Sequence, residues 1–231
     1  MNANPSDYYE YVNSELLRQL PGDARLVVEI GCGAAALARE YRRVNPGCRY
    51  VGIERVPEAA AVAAGRLSEV IVADVERLAD ADVPFTPGTV DVLVYGDVLE
   101  HLVDPWTLLR RQAAWLAPEG VVLACIPNVA HWTILVNLLM GQWPYEEAGL
   151  LDRTHLRFFT LESIQQMFAE AGLKILGLRQ TSNTTPETAS RVRQFVHLAL
   201  PLAKHLGAAP EPFTAQVQAY QYIVRAVKAS L

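Results

Sequence analysis

The sequence predicts an α/β fold with a mostly parallel β-sheet, and two observations lead to this prediction. Short apolar runs, of which residues 26–30 are the clearest, recur along the chain and are typical of strands buried on both faces. Stretches with a helical spacing of apolar side chains alternate with these runs. Strands that alternate with helices form βαβ units with right-handed crossovers. We therefore expect the 231 residues to form one large domain with helices on both faces of the sheet.

The alternation is most regular in the first half of the chain. Strands are predicted at 26–30, 49–54, 69–74, 90–95 and 120–127, and helices at 7–20, 34–44, 57–67 and 105–116. A Pro-Gly pair ends the first helix and an Asn-Pro-Gly triplet ends the second. Pro57 and Pro105 stand at first helical positions, where proline is favoured because its missing N–H has no intrahelical partner.

The second half is less periodic. Helices are predicted at 128–141, 160–171 and 190–206, and strands at 173–181 and 219–227; Thr160 caps a helix that Gly172 stops. Residues 142–159 mix aromatic, charged, glycine and proline residues without a clear period. We interpret residues 1–231 as a single domain, with a capping helix within 1–22, a helical and aromatic lid insertion at 128–159, and a C-terminal helix and strand at 182–231.

Composition narrows the functional class. The chain carries 25 acidic and 20 basic residues, a formal net charge of −5, which argues against a protein that coats nucleic acid. Its three cysteines, Cys32, Cys48 and Cys125, form no metal-binding spacing and fit a reducing compartment. No signal peptide is visible, and the most apolar stretch, 132–140, is far shorter than the ~20 residues of a membrane span. We expect a cytoplasmic protein without a membrane segment.

The first strand leads into a glycine turn that is suited to a ligand. Gly31 and Gly33 allow the backbone to pass close to a bound molecule, and the following helix N-terminus offers free N–H groups. Dinucleotide-binding proteins carry glycines in the pattern GxGxxG, and the sixth position here is Ala36, which such sites tolerate. The turn alone therefore does not distinguish a dinucleotide from another ligand.

Acids at the ends of successive strands narrow the choice of ligand. Glu54 follows the glycines by about twenty residues, where a carboxylate binds ribose hydroxyls, and Asp74 ends the third strand, where it can accept a hydrogen bond from an adenine amino group. Glu29 stands immediately before the glycine turn and would repel a pyrophosphate. This arrangement favours a cationic sulfonium ligand over a nicotinamide dinucleotide.

These motifs resemble the class I S-adenosylmethionine-dependent methyltransferases. The resemblance runs through E-I-G-C-G, V-G-I-E, A-D-V-E and V-L-V-Y-G-D-V-L-E-H-L-V-D-P, and the last segment is similar to the ubiquinone-pathway O-methyltransferase-like branch. I-P-N-V-A-H-W and the stretch 141–160 resemble a bacterial subgroup associated with glycan or secondary-metabolite pathways. Ala35 replaces the third glycine of the usual G-x-G-x-G. The resemblance implies a Rossmann-like, seven-stranded, mostly parallel sheet with an antiparallel last strand.

The resemblance also implies where S-adenosyl-L-methionine would bind. Glu29, Gly31, Cys32 and Gly33 would hold the methionine moiety, Glu54 the ribose hydroxyls, Arg55 the adenine side, Asp74 and Val75 the adenine itself, and Gly96 and Asp97 would face the methionine end. The implied reaction is methyl transfer to a small-molecule hydroxyl of a saccharide or secondary metabolite, with nitrogen a less favoured acceptor and S-adenosyl-L-homocysteine as product.

A hydroxyl acceptor needs a base with a near-neutral pKa, and histidine is the natural candidate. His131 follows the fifth strand, and His155 lies in the lid with Asp152; we take these three as the candidate catalytic residues. His101 is expected to orient its loop, and His197 and His205 to be structural. Asp152 and His155 could form part of a metal site, but two ligands are too few to predict one, so no metal is predicted.

Several other functions remain open from the sequence. A nicotinamide-dinucleotide oxidoreductase would share the sheet and the glycine turn, and a non-catalytic subunit that binds an S-adenosyl ligand would share the whole cofactor half. Methylation of protein or nucleic acid is a third alternative, which the acidic composition disfavours. The expected partner is a small-molecule acceptor, without nucleic acid or membrane, and a homodimer is one expected assembly.

Overall fold

The computed structural model describes residues 10–183 and 185–229. Its strands are β1 (Leu26–Ile30), β2 (Arg49–Glu54), β3 (Glu69–Val72), β4 (Val90–Gly96), β5 (Leu116–Pro127), β6 (Leu173–Thr181) and β7 (Gln221–Lys228). They form one sheet in the order β3-β2-β1-β4-β5-β7-β6. Pairs among β1 to β5 are parallel, whereas β7 runs antiparallel to both β5 and β6. The predicted seven-stranded, mostly parallel sheet with an antiparallel last strand is confirmed.

Helices pack on both faces of this sheet. They are α1 (Ser14–Gln19), α2 (Ala36–Val44), α3 (Pro57–Ala63), α4 (Pro105–Ala113), α5 (Trp132–Leu139), α6 (Leu161–Glu170), α7 (Pro186–His205) and α8 (Pro210–Gln218). Side chains alternate between the faces, as the two-residue period of a strand requires. Val28 and Leu93 belong to the core under α4 and α6, whereas Val27 and Val92 belong to the core under α1 and α2.

The structure differs from the sequence prediction at both ends of the described chain. The predicted helix at 7–20 is shorter: Asn13 caps α1 through its side chain, residues 11–13 are not helical, and residues 7–9 lie outside the described residues. Near the C-terminus α8 was not predicted, and α7 begins at Pro186 rather than at 190. Thr160 caps α6 as predicted, in a reciprocal pair with Ser163.

The sheet order determines where a ligand can bind. The chain runs outward from β1 through β2 to β3, and then returns to β4 on the other side of β1. A crevice opens at such a switch point, beyond the carboxyl ends of the two central strands. The loops after β1 and β4 therefore border the candidate site. Among the residues that the structure describes, no helix combines the length and apolar character needed to cross a membrane.

Candidate functional site

The turn after β1 contains three residues with left-handed backbone conformation. Gly31, Gly33 and Ala35 have φ angles of 66°, 53° and 59°. A Cβ atom on Gly31 would lie 2.5 Å from a methyl carbon of Val98, so the turn passes directly against the loop after β4. Ala35 keeps the conformation expected of the glycine that it replaces, although an L-residue pays roughly 1–2 kcal/mol for it.

Cys32 occupies the turn, but its side chain is directed into the core. The sulfur lies 2.5 Å from the position that a Cβ of Gly52 on β2 would take, and the residue is 5% exposed. Burial raises the pKa of the Cys32 thiol. Cys32 therefore contributes packing beneath the turn, while a ligand above it would meet the backbone. Cys48 and Cys125 are also free and buried.

Glu54 at the end of β2 connects the glycine turn to the next strand. One carboxylate oxygen accepts a hydrogen bond from the Gly33 N–H at 2.9 Å, and the other accepts from the Val56 N–H at 2.8 Å. The side chain is buried, with 6% exposure. A carboxylate has about four acceptor positions, so two remain for ligand hydroxyls.

Glu29 is a buried carboxyl directly below the turn. It accepts a hydrogen bond from the Tyr50 hydroxyl at 2.9 Å. Burial raises the pKa of Glu29 to about 8, the Tyr50 hydrogen bond opposes this rise, and the charge of Glu54 adds to it. A cation bound nearby would lower the pKa of this carboxyl, because the cation stabilises the charged form.

Gly96 and Asp97 follow at the end of β4. Asp97 also has a left-handed backbone, with φ 55°. Its Oδ1 accepts hydrogen bonds from Gln221 Nε2 at 2.5 Å and from the Cys125 thiol at 3.2 Å. Burial raises the pKa of Asp97 to about 6, against the hydrogen bonds from Cys125 and Asn13. The end of β4 is therefore held by β5, β7 and the residue that caps α1.

The predicted adenine-side residues have different surroundings. Asp74 is exposed and accepts a hydrogen bond from the Glu76 N–H at 3.0 Å, so its carboxylate shapes the turn after β3. Val75 packs its side chain into the core. Arg55 is exposed beyond β2, and its charge contributes to lowering the pKa of His101, after burial as the main cause. These three residues border the same edge of the sheet as Glu54.

His131, a candidate base for the methyl acceptor, occupies the N-cap position of α5 and is 7% exposed. Its Nδ1 lies 2.8 Å from the Thr133 hydroxyl oxygen, and its ring packs edge-on against Tyr220 with centroids 5.5 Å apart. Burial lowers the pKa of His131 to about 4. The imidazole is therefore neutral at physiological pH and is free of a carboxylate partner among the described residues.

His155 and Asp152 lie together in the segment before α6. Asp152 accepts hydrogen bonds from the Thr154 N–H and hydroxyl, both at 2.7 Å, and His155 Nδ1 lies 3.3 Å from the Leu150 carbonyl oxygen. The His155 ring stacks edge-on against His101, with centroids 4.8 Å apart. Burial lowers the pKa of His155, and the neighbouring His101 lowers it further.

The aromatic residues of 128–159 do not form one cluster. Trp143 and Phe158 pack together with centroids 5.1 Å apart, but Tyr145 is 60% exposed. Phe159 belongs to the main core, where it packs near Trp106, so it does not line a lid pocket.

Sequence reasoning missed three residues that contact Glu29 or Asp97, namely Tyr50, Gln221 and Asn13, and it also missed the buried carboxyl of Glu100. Glu100 was visible as the acid of L-E-H, but its burial was not. Tyr50 and Gln221 touch Glu29 and Asp97 only through the pairing of the strands, which no local pattern reveals.

Comparison with known proteins gives a consistent result. A family model described as a methyltransferase domain matches residues 6–178. The chain is 25% identical over 153 residues to a ubiquinone biosynthesis O-methyltransferase of Cupriavidus pinatubonensis, a match that covers 66% of this chain and 61% of that protein. The chain thus spans about three fifths of that relative's length.

Solved structures share the fold at low sequence identity. An S-adenosylmethionine-dependent methyltransferase of Thermotoga maritima superposes with a TM-score of 0.62 at 16% identity, covering 95% of this chain and 91% of that one. The [4+2]-cyclase SpnF has a TM-score of 0.61 at 19% identity, covering 94% and 80%. The family match covers most of the chain and disfavours the dinucleotide oxidoreductase alternative. The chain belongs to the class I S-adenosylmethionine-dependent methyltransferases.

Proposed function

We propose that the protein transfers a methyl group from S-adenosyl-L-methionine to a hydroxyl of a small molecule, a saccharide or secondary metabolite, and releases S-adenosyl-L-homocysteine. The observation that carries the proposal is the pair of buried carboxyls, Glu29 and Glu54, on either side of a left-handed glycine turn. When bound, the cofactor supplies a methyl group on a positively charged sulfonium. A cationic ligand would lower the pKa of Glu29 and draw it into the charged form, whereas an anionic pyrophosphate beside it would keep it protonated and gain no ionic attraction.

The residues present fit this cofactor. Gly31 lets the turn pass directly against Val98 with no side chain of its own, and Glu54 retains acceptor positions for ribose hydroxyls. We assign Glu29, Gly31, Gly33 and the backbone of Cys32 to the methionine moiety, and Gly96 and Asp97 to the same end. Arg55, Asp74 and Val75 are assigned to the adenine side, where Val75 would contribute its backbone, because its side chain lies in the core.

The protein needs only to align the acceptor hydroxyl with the methyl group and to remove the hydroxyl proton. We propose His131 and His155 as the candidate bases, with Asp152 supporting the segment of His155. His131 is neutral and its Nδ1 contact with Thr133 fixes the ring, but its pKa of about 4 lies below the near-neutral value that suits a general base, so the bound acceptor would have to raise that pKa. We further propose a cytoplasmic enzyme that acts without nucleic acid or membrane. Light scattering after size-exclusion chromatography tests the predicted homodimer.

Isothermal titration calorimetry of the purified protein with S-adenosyl-L-homocysteine, NAD and NADP tests the cofactor. Micromolar binding of S-adenosyl-L-homocysteine alone supports the proposal, and binding of a dinucleotide instead overturns it. A screen with S-adenosyl-L-methionine carrying a labelled methyl then compares hydroxylated and amino acceptors. If the label appears only on nitrogen, the proposed hydroxyl acceptor is wrong. If the cofactor binds but no acceptor is labelled, the hypothesis of a non-catalytic subunit that binds an S-adenosyl ligand is favoured over that of an enzyme.

A further inference from the structure

Behind the loop after β4, Glu100 is a buried carboxyl that nothing in its surroundings satisfies. It is 1% exposed, and neither of its carboxylate oxygens has a hydrogen-bond partner among the described residues. A buried carboxylate without a partner is strongly unfavourable, and protonation alone would still leave its O–H unpaired. An unsatisfied buried carboxyl of this kind indicates a partner from outside the polypeptide, such as a bound ion.

Two imidazoles adjoin this carboxyl. Glu100, His101 and His155 each offer one potential metal-binding atom, a carboxylate oxygen or an imidazole nitrogen. These three atoms all lie within 4.8 Å of one another. Glu100 Oε1 and His155 Nε2 are 4.0 Å apart, which is too long for a hydrogen bond. Two ligands of one tetrahedral ion with bonds near 2.1 Å are about 3.4 Å apart, so a small inward shift would allow both to bind it.

The Nδ1 atom of each imidazole already has a hydrogen-bond partner in the protein. His101 Nδ1 lies 3.3 Å from the Thr154 carbonyl oxygen, and His155 Nδ1 lies 3.3 Å from the Leu150 carbonyl oxygen. A carbonyl oxygen only accepts hydrogen bonds, and the Thr154 hydroxyl, 3.1 Å from His101 Nδ1, donates its proton to Asp152, so both Nδ1 atoms act as donors and both Nε2 atoms keep a lone pair. Metal-binding histidines characteristically show this outer contact, which fixes the tautomer and the ring orientation.

We propose that Glu100, His101 and His155 bind a divalent transition-metal ion. A carboxylate and two imidazoles suit Zn²⁺, Co²⁺, Fe²⁺ or Mn²⁺ better than Mg²⁺, which prefers oxygen ligands and keeps its waters. Three protein ligands also leave a coordination position open, as in catalytic rather than structural metal sites. The ion would neutralise Glu100 and connect the loop after β4 to the segment before α6. His155 would then be a ligand and not a free base, which leaves His131 in that role.

These two segments are already joined through their backbones. The N–H groups of Leu156 and Arg157 donate to the Glu100 carbonyl oxygen at 2.8 and 3.0 Å. The main-chain contacts hold the three ligands in register without an ion, so the site would be largely formed before the metal binds. Metal binding should therefore stabilise the fold without large rearrangement.

Titration of chelator-treated protein with Co²⁺, followed by visible absorption, tests the site. We expect one equivalent of Co²⁺ to give absorption bands of a low-coordinate site and the melting temperature to rise by several degrees. Mg²⁺ at the same concentration should do neither. Glu100→Gln keeps the volume of the side chain, and His155→Asn removes one ligand; each should weaken Co²⁺ binding at least tenfold. The matched controls Glu119→Gln and His205→Asn change exposed residues and should bind like wild type.

Binding of S-adenosyl-L-homocysteine to each variant reports folding independently of the metal. If wild type gives no bands with Co²⁺ and no change in melting temperature with Co²⁺, Zn²⁺ or Mn²⁺, Glu100 is buried without an ion and the inference is wrong. It is also wrong if both ligand variants bind Co²⁺ as well as wild type, because the ion would then lie elsewhere. Neither result depends on whether the proposed methyl transfer is correct.

Discussion

The carboxylate of Glu54, at the end of β2, accepts a hydrogen bond from the N–H of Gly33 at 2.9 Å. The same side chain is our candidate for the ribose hydroxyls, so one carboxylate would both shape the glycine turn and bind the ligand. A substitution at this position is therefore expected to affect stability and affinity together.

Glu54→Ala should weaken binding of S-adenosyl-L-homocysteine by roughly 30- to 140-fold, which corresponds to about 2–3 kcal/mol for a charged hydrogen-bond partner. It should also lower the melting temperature, because the N–H groups of Gly33 and Val56 lose their acceptor. Calorimetry well below the melting temperature separates the two effects. Glu58→Ala, an exposed change on α3, is the control. An unchanged dissociation constant would show that the ribose binds elsewhere.

The raised pKa of Glu29 predicts a pH-dependent stability. Between pH 4.5 and about 8 the folded protein holds a proton that the unfolded chain releases, so stability is full at low pH and falls as pH rises through this window. Glu29→Gln should remove this fall, which is on the order of 3 kcal/mol between pH 5 and 8. Urea unfolding of both proteins at several pH values measures it. Parallel curves for the two proteins would contradict the prediction.

The same residue predicts a pH-dependent affinity. A cationic ligand next to Glu29 lowers its pKa, so binding releases a proton and affinity for S-adenosyl-L-methionine should rise from pH 6 to pH 8. The Glu29→Gln variant should bind more weakly, without this dependence. Calorimetry in two buffers with different ionisation enthalpies detects the released proton. If no proton is released, the ligand's cationic end does not lie at Glu29.

Asp97 has a raised pKa of about 6, so stability should fall as pH rises from about 4 to about 6 and then level off. Asp97→Asn keeps a residue that tolerates left-handed backbone and can still accept from Gln221. We expect its stability relative to wild type to be about 1–2 kcal/mol greater at pH 8 than at pH 5. Thermal unfolding at the two pH values tests this. Equal differences at both pH values would mean that Asp97 does not titrate in this range.

The space beside the Cα of Gly52 is filled by the side chains of Cys32 and Leu67, so we expect substitutions at Gly52 and Cys32 to be coupled. A Cβ at this position would lie 2.5 Å from both the Cys32 sulfur and a Leu67 methyl. Gly52→Ala should cost about 1–3 kcal/mol through overpacking. Adding Cys32→Ala should recover part of that loss, because it removes one of the two clashes. Urea unfolding of the four proteins of this cycle measures the coupling; strict additivity would show that the two residues do not compete for the same space.

Much of the fold follows from local sequence. The buried strands are short apolar runs with clear stops, and the residues at their carboxyl ends were found because parallel strands end at one edge of a sheet. Helix α8 was missed because Pro210 and Pro212 interrupt any clear helical period, and its position depends on contacts with α7. The start of α1 was misplaced because Tyr11 and Val12 fit the helical spacing although Asn13 caps the helix after them.

The candidate site was only half visible from sequence. Carboxylates near the end of a strand carry a positional signal, which led to Glu29, Glu54 and Asp74 as candidates, whereas Asp97 came from the family resemblance. Tyr50 and Gln221 carry none, since their role comes from strand register. Burial decides the chemistry of Glu100 and His131, and burial depends on elements that are distant in the chain.

The position of β7 between β5 and β6 has a consequence for the order in which the protein assembles. In the described sheet β6 has β7 as its neighbour, so residues 173–181 can join only after residues 221–228 have been synthesised and inserted. During synthesis the first five strands can pair as they emerge, whereas the last two must wait. Gln221, which holds Asp97, belongs to this late strand. A nascent chain would therefore carry most of its sheet well before the end of β4 receives its final support.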